Sequence, residues 1–414
     1  MYRWAEDNRL DECQAGFRHS YSAIDNVLCL QAMAQKYLSR QGGRFYCLYV
    51  DFRKAFDKID HHKLFQSFQN KGVNGNFLKV LVKMYANIKS CVKLSSNCPT
   101  SYVPCNIGTR QGDISSTTIF SLFIDQLSNL LRQNCETGSF IDNSIPDILC
   151  LMFADDVENC AETVNRLQQQ LNIVDQFCIS TGMEVNLSKT QIIVVRNGGP
   201  LKKNARWTLR GEHIQVTSVY NYMGLLFTPT LSWSAALEKL VCQAQRSIYA
   251  LYNYQKPFGY QLLNLFDSMV KPVLTYGSQL WGYKYTPGIE TVRLSFRKRY
   301  LSVKHSTNNC IVLGECGRLP LCITYMSNCI TYWCKLLHMN DHRYPKRCYY
   351  MLKSLDNVGR LTWASHIKHL LFLYGFGFVW VSHQVADIDV FISTFEQRLI
   401  DCHKQKLEPS NPGF

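Results

Sequence analysis

The chain has 414 residues, of which 46% are hydrophobic and 13% are aromatic, a composition that excludes an intrinsically disordered protein. Lys and Arg number 45 against 31 for Asp and Glu, which gives a formal net charge of +14. A folded chain with this basic excess favours a polyanionic partner, either nucleic acid or an anionic membrane surface, and its length allows two or three domains.

Cysteine usage and apolar segments indicate the compartment. The 18 cysteines are scattered singly through apolar stretches, as expected of buried thiols in a reducing environment. The N-terminus lacks the apolar core of a signal peptide, and the longest apolar run, near residues 369–382, is too short to span a bilayer. We therefore expect a soluble intracellular protein, in the cytoplasm, the nucleus or both, with no membrane partner.

Hydrophobic periodicity gives the elements of the first half in chain order. It predicts a helix from Ser22 to Tyr37 and a strand over residues 44–51 that ends at Asp51. Two helices, a hairpin with a loop, an apolar helix, a strand–turn–strand, a helix closed by Gly182 and a strand then follow, at residues 61–72, 75–88, 90–113, 117–133, 151–160, 161–182 and 183–195. This order over residues 44–196 predicts an α+β fold, in which an antiparallel sheet carries helices on one face.

The pattern changes after a composition break at residues 196–200. Short strands are expected over residues 207–227, helices from about Ser232 to Tyr300, and a helical tail rich in Tyr and Cys over residues 306–414. Core packing is the favoured interpretation of this tail, because its Cys and His residues lie among apolar and aromatic neighbours, and a structural zinc site is the alternative. The potential zinc ligands are Cys329, Cys334, His338, His342 and Cys348.

Two adjacent carboxylates raise the question of a metal. Asp155 and Asp156 follow an apolar run at residues 151–153, and each raises the pKa of the other unless a cation holds them. If the strand that ends at Asp51 is a neighbour in one antiparallel sheet, three carboxylates converge and suit Mg²⁺. Two such ions would stabilise the attacking and leaving oxygens of a phosphoryl displacement. An ordinary solvated turn is the alternative.

Five ordered segments carry a family resemblance. They read YVDFRKAFDKIDHHKL, GTRQGDISS, LMFADDVENCA, GMEVNLSKT and NYMGLLF, at residues 49–64, 108–116, 151–161, 182–190 and 221–227. In this order they resemble the successive motifs of a reverse transcriptase, most closely those of non-LTR retrotransposons of the long interspersed element type. The preceding ECQAGFRHSYSAIDN resembles a fingers motif, and segments such as VKPVLTYGSQLWG and LGECGRLPL resemble that family downstream of the polymerase core.

The resemblance implies a right-hand polymerase. Residues 1–43 would be partial fingers, 44–196 the palm, 197–305 a primer-grip hairpin and helical thumb, and 306–414 a helical C-terminal region. The implied activity is RNA-directed DNA polymerisation in retrotransposition, in which a primer 3′-hydroxyl is extended with deoxynucleoside triphosphates (dNTPs). The implied cofactor is Mg²⁺ as two ions, with Mn²⁺ as a substitute, and the implied partners are an RNA template and a DNA primer.

Carried over residue by residue, the resemblance assigns the chemistry to a few side chains. Asp51, Asp155 and Asp156 would ligate the metal, with Asp155 the firmer ligand of the pair. Lys189 would face the triphosphate and could protonate the departing pyrophosphate; a solvated surface lysine is the alternative.

The resemblance also assigns substrate contacts. Phe56 would exclude a 2′-hydroxyl by its bulk, and a simple core aromatic is the alternative. The residues that would contact the nucleotide or the nascent base pair are Arg18, Arg110, Gln111 and Gly112. The residues that would grip the primer end are Tyr222, Met223 and Gly224.

A basic strip at residues 293–305 contains no acid and has interleaved aromatics. This pattern predicts contact with the backbone of a template–primer duplex, and a solvated helix face is the alternative. The basic residues of the strip are Arg293, Arg297, Lys298, Arg299 and Lys304.

Three departures from the family pattern weaken the expectation of activity. Asp113 adds an anion near the triphosphate, and Thr117 replaces a proline that would preset a helical turn. Glu158 follows the paired aspartates in a strand that is usually apolar, so it is either buried with a raised pKa or exposed at an edge. The chain also begins just before the fingers motif and has no endonuclease segment, so we expect a fragment of a longer open reading frame.

Two alternatives to an active enzyme of this type remain open. One is a catalytically decayed remnant that still binds nucleic acid. The other is a polymerase of related architecture, such as a group II intron enzyme or telomerase, against which the matching downstream segments argue.

Overall fold

The computed structural model describes residues 2–7, 10–95, 98–110, 112–135, 138–143, 145–202, 205–252 and 261–407. The chain divides into two compact units, Met1–Tyr220 and Asn221–Phe414. This division falls inside the segment predicted as the primer-grip hairpin and thumb. The four-part division into fingers, palm, thumb and C-terminal region stays a prediction.

The first unit mixes helices and strands. Its helices are α1 (Tyr2–Glu6), α2 (Ala23–Leu38), α3 (His61–Asn70), α4 (Gly75–Ala86), α5 (Ile114–Ile124), α6 (Gln126–Asn134) and α7 (Val164–Thr181). Its strands are β1 (Arg44–Val50), β2 (Lys89–Ser90), β3 (Lys93–Ser95), β4 (Cys98–Pro99), β5 (Val103–Pro104), β6 (Cys150–Phe153), β7 (Asp156–Ala161), β8 (Gln191–Arg196), β9 (Thr208–Leu209), β10 (Glu212–His213) and β11 (Gln215–Val216). Strand β12 (Tyr220–Tyr222) begins at its last residue.

Five strands form the central sheet, in the order β11–β8–β1–β7–β6. The strands from β8 to β6 pair antiparallel, so that Tyr46 lies opposite Ala161 on one side and Val194 on the other, and β11 joins β8 in parallel. Apart from Arg44, every residue of the central strand β1 is buried. Helix α2 packs on β1, β6 and β8, and α7 packs on β1 and β7. The predicted α+β class with an antiparallel core is confirmed.

Local sequence explains where the two packing helices begin. Ser22 accepts a hydrogen bond from the Asp25 N–H, and the Asp25 carboxylate accepts one from the Ser22 N–H, which makes a capping box before α2. The Thr163 hydroxyl accepts from the Arg166 N–H and caps α7, which ends at Gly182 as predicted. Helix α7 starts later than predicted because β7 continues to Ala161.

The second unit is built mainly from helices in its described segments. After β13 (Leu225–Phe227) come α8 (Ser234–Tyr252), α9 (Gln261–Leu265), a π-helical turn (Phe266–Val270), α10 (Lys271–Leu274), α11 (Ser278–Trp281), α12 (Pro287–Tyr300), α13 (Asn309–Cys316), α14 (Leu321–His338), α15 (Tyr344–Asn357), α16 (Trp363–Leu373), α17 (Gly377–Ser382) and α18 (Ile388–Leu407). None of the helices described in either unit is long and apolar enough to cross a membrane.

The cysteines considered as zinc ligands lie in the core of this unit. Cys329, Cys334 and Cys348 are buried, and the Cys329 thiol donates a hydrogen bond to the Ser278 carbonyl at 2.9 Å. The His338 ring is hydrogen-bonded to the Cys334 carbonyl at 2.9 Å. Over the described ranges, no three Cys, His, Asp or Glu side chains are grouped closely enough to hold a metal ion. These contacts support core packing for the cysteines.

Candidate active site

Three carboxylates lie at one end of the central sheet. Strands β1 and β7 pair so that Val50 is opposite Val157, and the next residues at that end are Asp51 and Asp156. Asp155 lies in the two-residue turn between β6 and β7, beside Asp156. The prediction required β1 and the strand after Asp155 to be neighbours, and β1 does pair with β7. This pairing brings together carboxylates about a hundred residues apart in sequence.

The electrostatics of this end are those of crowded anions. Burial raises the pKa of Asp155, and the Asp51 carboxylate raises it further. Burial likewise raises the pKa of Asp156, followed by the charges of Asp155 and Asp51. No basic side chain in the described segments offsets these two shifts. Among the described residues, neither Asp155 nor Asp156 therefore has a basic side chain that relieves this repulsion.

The loop before β8 holds Asp51 in place. The Asp51 carboxylate accepts a hydrogen bond from Asn186 Nδ2 at 2.9 Å, and its carbonyl accepts one from the Asn186 N–H at 2.7 Å. The Asp51 N–H donates to Thr190 Oγ1 at 3.2 Å. Lys189 lies between these partners in the chain and is exposed. Lys189 was predicted from the sequence, whereas Asn186 and Thr190, which belong to the same motif, were not.

The donor set fits a hard divalent cation. Mg²⁺ takes carboxylate oxygens and completes its shell with water and substrate phosphates. A cation at this end would relieve the repulsion that raises the pKa of Asp155 and Asp156. Among the described residues, no three acidic, His or Cys side chains are close enough to hold a metal ion by themselves. Mg²⁺ at this end would therefore need water and substrate oxygens as further ligands.

An aromatic pair lies beside the carboxylates. The rings of Tyr49 and Tyr220 are stacked with centroids 4.0 Å apart. Burial, together with the charges of Asp156, Asp51 and Glu158, raises the pKa of Tyr220 to about 12. Tyr49 lies in β1, two positions before Asp51, which is the first residue after that strand. Sequence reasoning missed this pair because neither residue has a chemistry that stands out from core packing.

Phe56 belongs to a small aromatic group that follows β1. Its ring stacks on Phe120 with centroids 4.0 Å apart and meets Phe17 edge-on at 6.4 Å, and it stays partly exposed. Thr109 donates to the Phe56 carbonyl from its N–H at 2.8 Å and from its hydroxyl at 3.3 Å. The loop that carries Arg110 therefore starts beside Phe56, which brings two predicted nucleotide contacts together.

The Arg110 loop gives Asp113 partners within the protein, and its predicted effect on a triphosphate stays a prediction. Its carboxylate caps α5 by accepting from the Ser115 N–H at 2.8 Å and from the Ser115 hydroxyl at 2.7 Å, and it pairs with exposed Arg110 at 3.6 Å. The Ser115 hydrogen bonds lower the pKa of Asp113, so the anion is stabilised locally. Gly112 has φ +88°, and Gln111 lies outside the described residues. The predicted anion thus has a structural role as a helix cap.

Glu158 is buried in the middle of the sheet. Strand β7 lies between β1 and β6, which excludes an exposed edge position. Burial raises the pKa of Glu158 to about 8, and the Cys160 thiol donates to its carboxylate at 3.4 Å. The prediction that burial would raise this pKa is confirmed. Glu158 is therefore less readily ionised at neutral pH than an exposed glutamate, and it adds less negative charge to this part of the sheet.

The predicted primer-grip residues form a tight hairpin turn between β12 and β13. Met223 and Gly224 have φ of +47° and +82°, as in the two-residue turns that favour glycine. The Tyr276 hydroxyl donates to the Met223 carbonyl at 2.7 Å, and a Cβ at Gly224 would lie 2.9 Å from the Tyr276 ring. Tyr222 is buried. These contacts fix the turn, and its contact with a primer stays a prediction.

The basic strip is mostly buried, and its predicted contact with a nucleic-acid backbone is wrong for three of its five members. Arg293 is 1% exposed and pairs with Glu290 at 2.9 Å. Arg297 is 2% exposed and Lys298 is 8% exposed, and they donate to backbone carbonyls at 3.3 and 2.7 Å. Side chains enclosed in this way cannot neutralise phosphates. Arg299 and Lys304 are exposed, and for them the contact stays a prediction.

Arg18 is engaged by protein groups. Its guanidinium pairs with Glu6 at 3.1 Å and lies 4.0 Å from the centroid of the Tyr21 ring. It also donates to the carbonyls of Asp11 and Gln14 at 2.9 and 3.0 Å. A contact with a triphosphate, which stays a prediction, would compete with these bonds.

A second basic region escaped the sequence reasoning. Residues 61–112 contain no Asp or Glu, and counting charges along the chain would have found them. Helix α4 exposes Lys79 and Lys83 together with Phe77 and Val80. The basic residues of this region are Lys63, Lys71, Lys79, Lys83, Lys89, Lys93 and Arg110.

Comparison with known proteins places this geometry in a family. The model for "Reverse transcriptase (RNA-dependent DNA polymerase)" matches residues 2–227. The chain is 26% identical over 201 residues to the retrovirus-related Pol polyprotein from the type-1 retrotransposable element R2 of Nasonia vitripennis, covering 49% of this chain and 19% of the relative. The corresponding protein of Popillia japonica is 25% identical over 270 residues, 63% of this chain and 37% of its own length.

A third relative and the solved structures extend the comparison. The RNA-directed DNA polymerase from the mobile element jockey of Drosophila melanogaster is 21% identical over 257 residues, 59% of this chain and 27% of that protein. The apo telomerase of Candida tropicalis is 11% identical with a TM-score of 0.42, covering 96% of this chain and 58% of that one. The telomerase of Candida albicans with an RNA fragment gives 10% and 0.36, covering 89% and 56%. Because the family model spans more than half of its residues, including all three carboxylates, the chain belongs to the reverse transcriptase family.

Proposed function

We propose that the chain is an RNA-directed DNA polymerase module that extends a primer 3′-hydroxyl with dNTPs in retrotransposition. The observation that carries the proposal is the meeting of Asp51, Asp155 and Asp156 at one end of an antiparallel sheet. In phosphoryl transfer the protein mainly positions the reactants and stabilises charge, so a cluster of carboxylates provides the chemical centre.

The carboxylates would hold Mg²⁺, two ions in the complete site, with Mn²⁺ as a substitute. When bound, such ions stabilise the attacking and leaving oxygens of an in-line displacement. The chain's own contribution is to keep its ligands in place. Asn186 and Thr190 fix Asp51 through side-chain and backbone hydrogen bonds, and the β6–β7 turn fixes Asp155 and Asp156.

The reaction forms a bond between the primer 3′ oxygen and the α-phosphorus of the dNTP, and the bond from that phosphorus to the pyrophosphate oxygen breaks. The hydroxyl proton is lost to solvent. Lys189, exposed beside the loop that holds Asp51, would return a proton to the departing pyrophosphate.

Substrate selection would fall to the group around Phe56. Its ring is held by Phe120 and Phe17 and is only partly covered, so a face remains for the sugar of the nucleotide. Bulk at this place excludes a 2′-hydroxyl. Arg110 and Gly112, on the loop bonded to Phe56, would contact the nucleotide.

The nucleic acid would be bound through phosphates and shape rather than base sequence. The acid-free region at residues 61–112 supplies exposed lysines for this purpose, in place of the buried strip. Combining Lys79→Ala with Lys83→Ala should lower the salt slope of binding to an RNA–DNA hybrid by about 1 per lysine that contacts a phosphate. Lys368→Ala, which removes a surface partner of Asp356, is the matched control. An unchanged salt slope in the double variant would show that the α4 lysines do not contact the nucleic acid.

Primer extension on an RNA template with Mg²⁺ tests the activity. Asp155→Asn should reduce extension at least about 100-fold, because it removes charge stabilisation at the reacting centre. Asp175→Asn is the matched control, since Asp175 lies on α7 in a surface ion pair with Arg210. Equal extension by wild type and Asp155→Asn would refute catalysis at this site. Binding that weakens with salt, without extension by the wild type, would favour the decayed remnant.

A further inference from the structure

The segment before α2 runs along the outer edge of the sheet. The Met152 N–H donates to the Cys13 carbonyl at 2.8 Å, and the Ala15 N–H donates to the Met152 carbonyl at 2.8 Å. Gln14 and Met152 form a parallel bridge. Residues 13–15 thus cover the edge of β6, the strand that leads into the carboxylate turn.

Gln14 reaches from this segment to the turn itself. Its Oε1 accepts from the Ala154 N–H at 3.0 Å and from the Gly16 N–H at 2.8 Å, and its Nε2 donates to the Ala154 carbonyl at 3.3 Å. The side chain is completely buried. One amide group therefore satisfies both backbone groups of the residue before Asp155.

Ala154 is the strained point of the turn. It has φ +58°, a strained conformation that residues other than glycine keep only where the surrounding structure holds them in it. The Gly16 backbone also lies close to Ala154, because a Cβ at position 16 would be 2.2 Å from the Ala154 nitrogen. The turn is thus held by the Gln14 side-chain amide and is closely packed by the Gly16 backbone, where no side chain would fit.

We propose that Gln14 is a positioning residue that sets the β6–β7 turn and thereby the placement of Asp155 and Asp156. This inference rests on the proposed polymerase activity and deepens it. Gln14 acts through Ala154 and does not itself touch the substrate. A displacement of the turn by about 1 Å would be expected to cost up to about 100-fold in rate.

Gln170 serves as a control that distinguishes positioning of the turn by Gln14 from a general contribution to the stability of the sheet. Gln170 on α7 is also buried, and its Nε2 donates to the Cys160 carbonyl at 2.8 Å, at the end of β7 away from the turn. Gln170→Met removes a buried amide from the same sheet without touching the turn. Gln14→Met is its counterpart, and Gln14→Glu keeps the acceptor for the two N–H groups.

The experiment measures extension kinetics and amide hydrogen exchange on the full chain. Gln14→Met should lower kcat about 10- to 100-fold with little change in the KM for the dNTP, and Gln14→Glu should lower it less. Exchange should accelerate in a peptide spanning residues 153–157 for Gln14→Met. Gln170→Met should leave both kcat and exchange at the turn unchanged.

Each outcome decides the proposal. An unchanged kcat in Gln14→Met, or an equal loss in Gln170→Met, would overturn the positioning role. If the wild type does not extend a primer, the proposed function fails, and exchange alone decides whether Gln14 holds the turn. Unchanged exchange at residues 153–157 would then overturn the inference, and acceleration confined to Gln14 variants would support it.

Discussion

The carboxylate end of the central sheet and the basic strip on α12 were both predicted from charged residues. The predicted carboxylates do lie together at one end of the sheet, whereas most of the predicted basic side chains are buried and cannot reach a nucleic acid. Asp51 and Asp156 come together because two strands pair in register. Arg293 and Arg297 are buried because they lie four residues apart, on a helix face that packs inward. Order and spacing across several motifs constrain tertiary geometry, whereas a local run of charge leaves exposure undetermined.

The largest expected effect tests the buried side of this comparison. Arg293→Met should lower the free energy of unfolding by about 3–5 kcal/mol, because it leaves the Glu290 carboxylate buried without its partner. Urea unfolding measures this change. Arg299→Met, at an exposed position of the same helix, removes a cation–π contact with the Tyr252 ring and should change it by no more than about 1 kcal/mol.

The double variant sharpens the result. Arg293→Met with Glu290→Leu removes both charges and should recover most of the lost stability. Similar losses from Arg293→Met and Arg299→Met would contradict the burial described for α12.

The next effect tests the carboxylate end. Asp51→Asn should reduce primer extension by about 100- to 1,000-fold, since it removes one of the charges proposed to hold the metal, while its hydrogen bond from Asn186 can persist. Thermal unfolding without Mg²⁺ should show no loss of stability, because one of three repelling anions has gone. A fall in melting temperature as large as that of Arg293→Met would mean that Asp51 has a structural role instead.

A smaller effect concerns a histidine that the second unit keeps neutral. Burial, followed by the charges of Lys284 and His369, lowers the pKa of His366 to about 4, and its ring stacks on Tyr283 with centroids 3.9 Å apart. Between pH 6.5 and 4 the unfolded chain binds the proton more readily, so the contribution of His366 is fully present above pH 6.5. It falls by up to about 1.4 kcal/mol per pH unit on acidification.

Comparison with His366→Phe isolates this contribution, because the variant keeps an aromatic ring against Tyr283 and cannot titrate. The difference in unfolding free energy between the two proteins should change between pH 7.5 and pH 4.5. A constant difference across that range would contradict the lowered pKa.

The smallest effect returns to Asp113. Asp113→Ala should cost about 1 kcal/mol of stability, because α5 loses its cap, whereas Asp113→Asn retains a capping side chain. Urea unfolding of both variants measures the difference. If the anion were a lesion in the nucleotide site, Asp113→Asn would raise the rate of primer extension. We expect little change, because Arg110 pairs with the charge and Ser115 donates hydrogen bonds to it.

The sequence was most informative where one residue decides a local conformation. The strand ending at Asp51, the turn at Asp155 and the helix end at Gly182 could be predicted because periodicity and turn chemistry act over a few residues. The central position of β7, and with it the burial of Glu158, depends on strand order, which local pattern does not encode.

The supporting contacts of the site were hidden for a related reason. Asn186 and Thr190 are ordinary polar residues until the fold brings them to Asp51, and their role lies in hydrogen bonds to another segment. The burial of Arg293 likewise needs Glu290 and the surrounding helices, so that charge composition alone suggests a surface. Partners distant in the chain or across a helix interface account for most of what sequence reasoning missed.

The contacts of residues 13–16 with Met152 and Ala154 bear on whether N-terminally shortened versions of this chain could be active. A protein that starts after Gly16 would keep all three aspartates of the candidate site, and a scan for intact motifs would score it as complete. Its turn would nevertheless have lost the amide of Gln14 and the neighbouring strand edge. The catalytic activity of a shortened version is therefore better predicted from the presence of residues 13–16 together with the aspartates than from the aspartates alone.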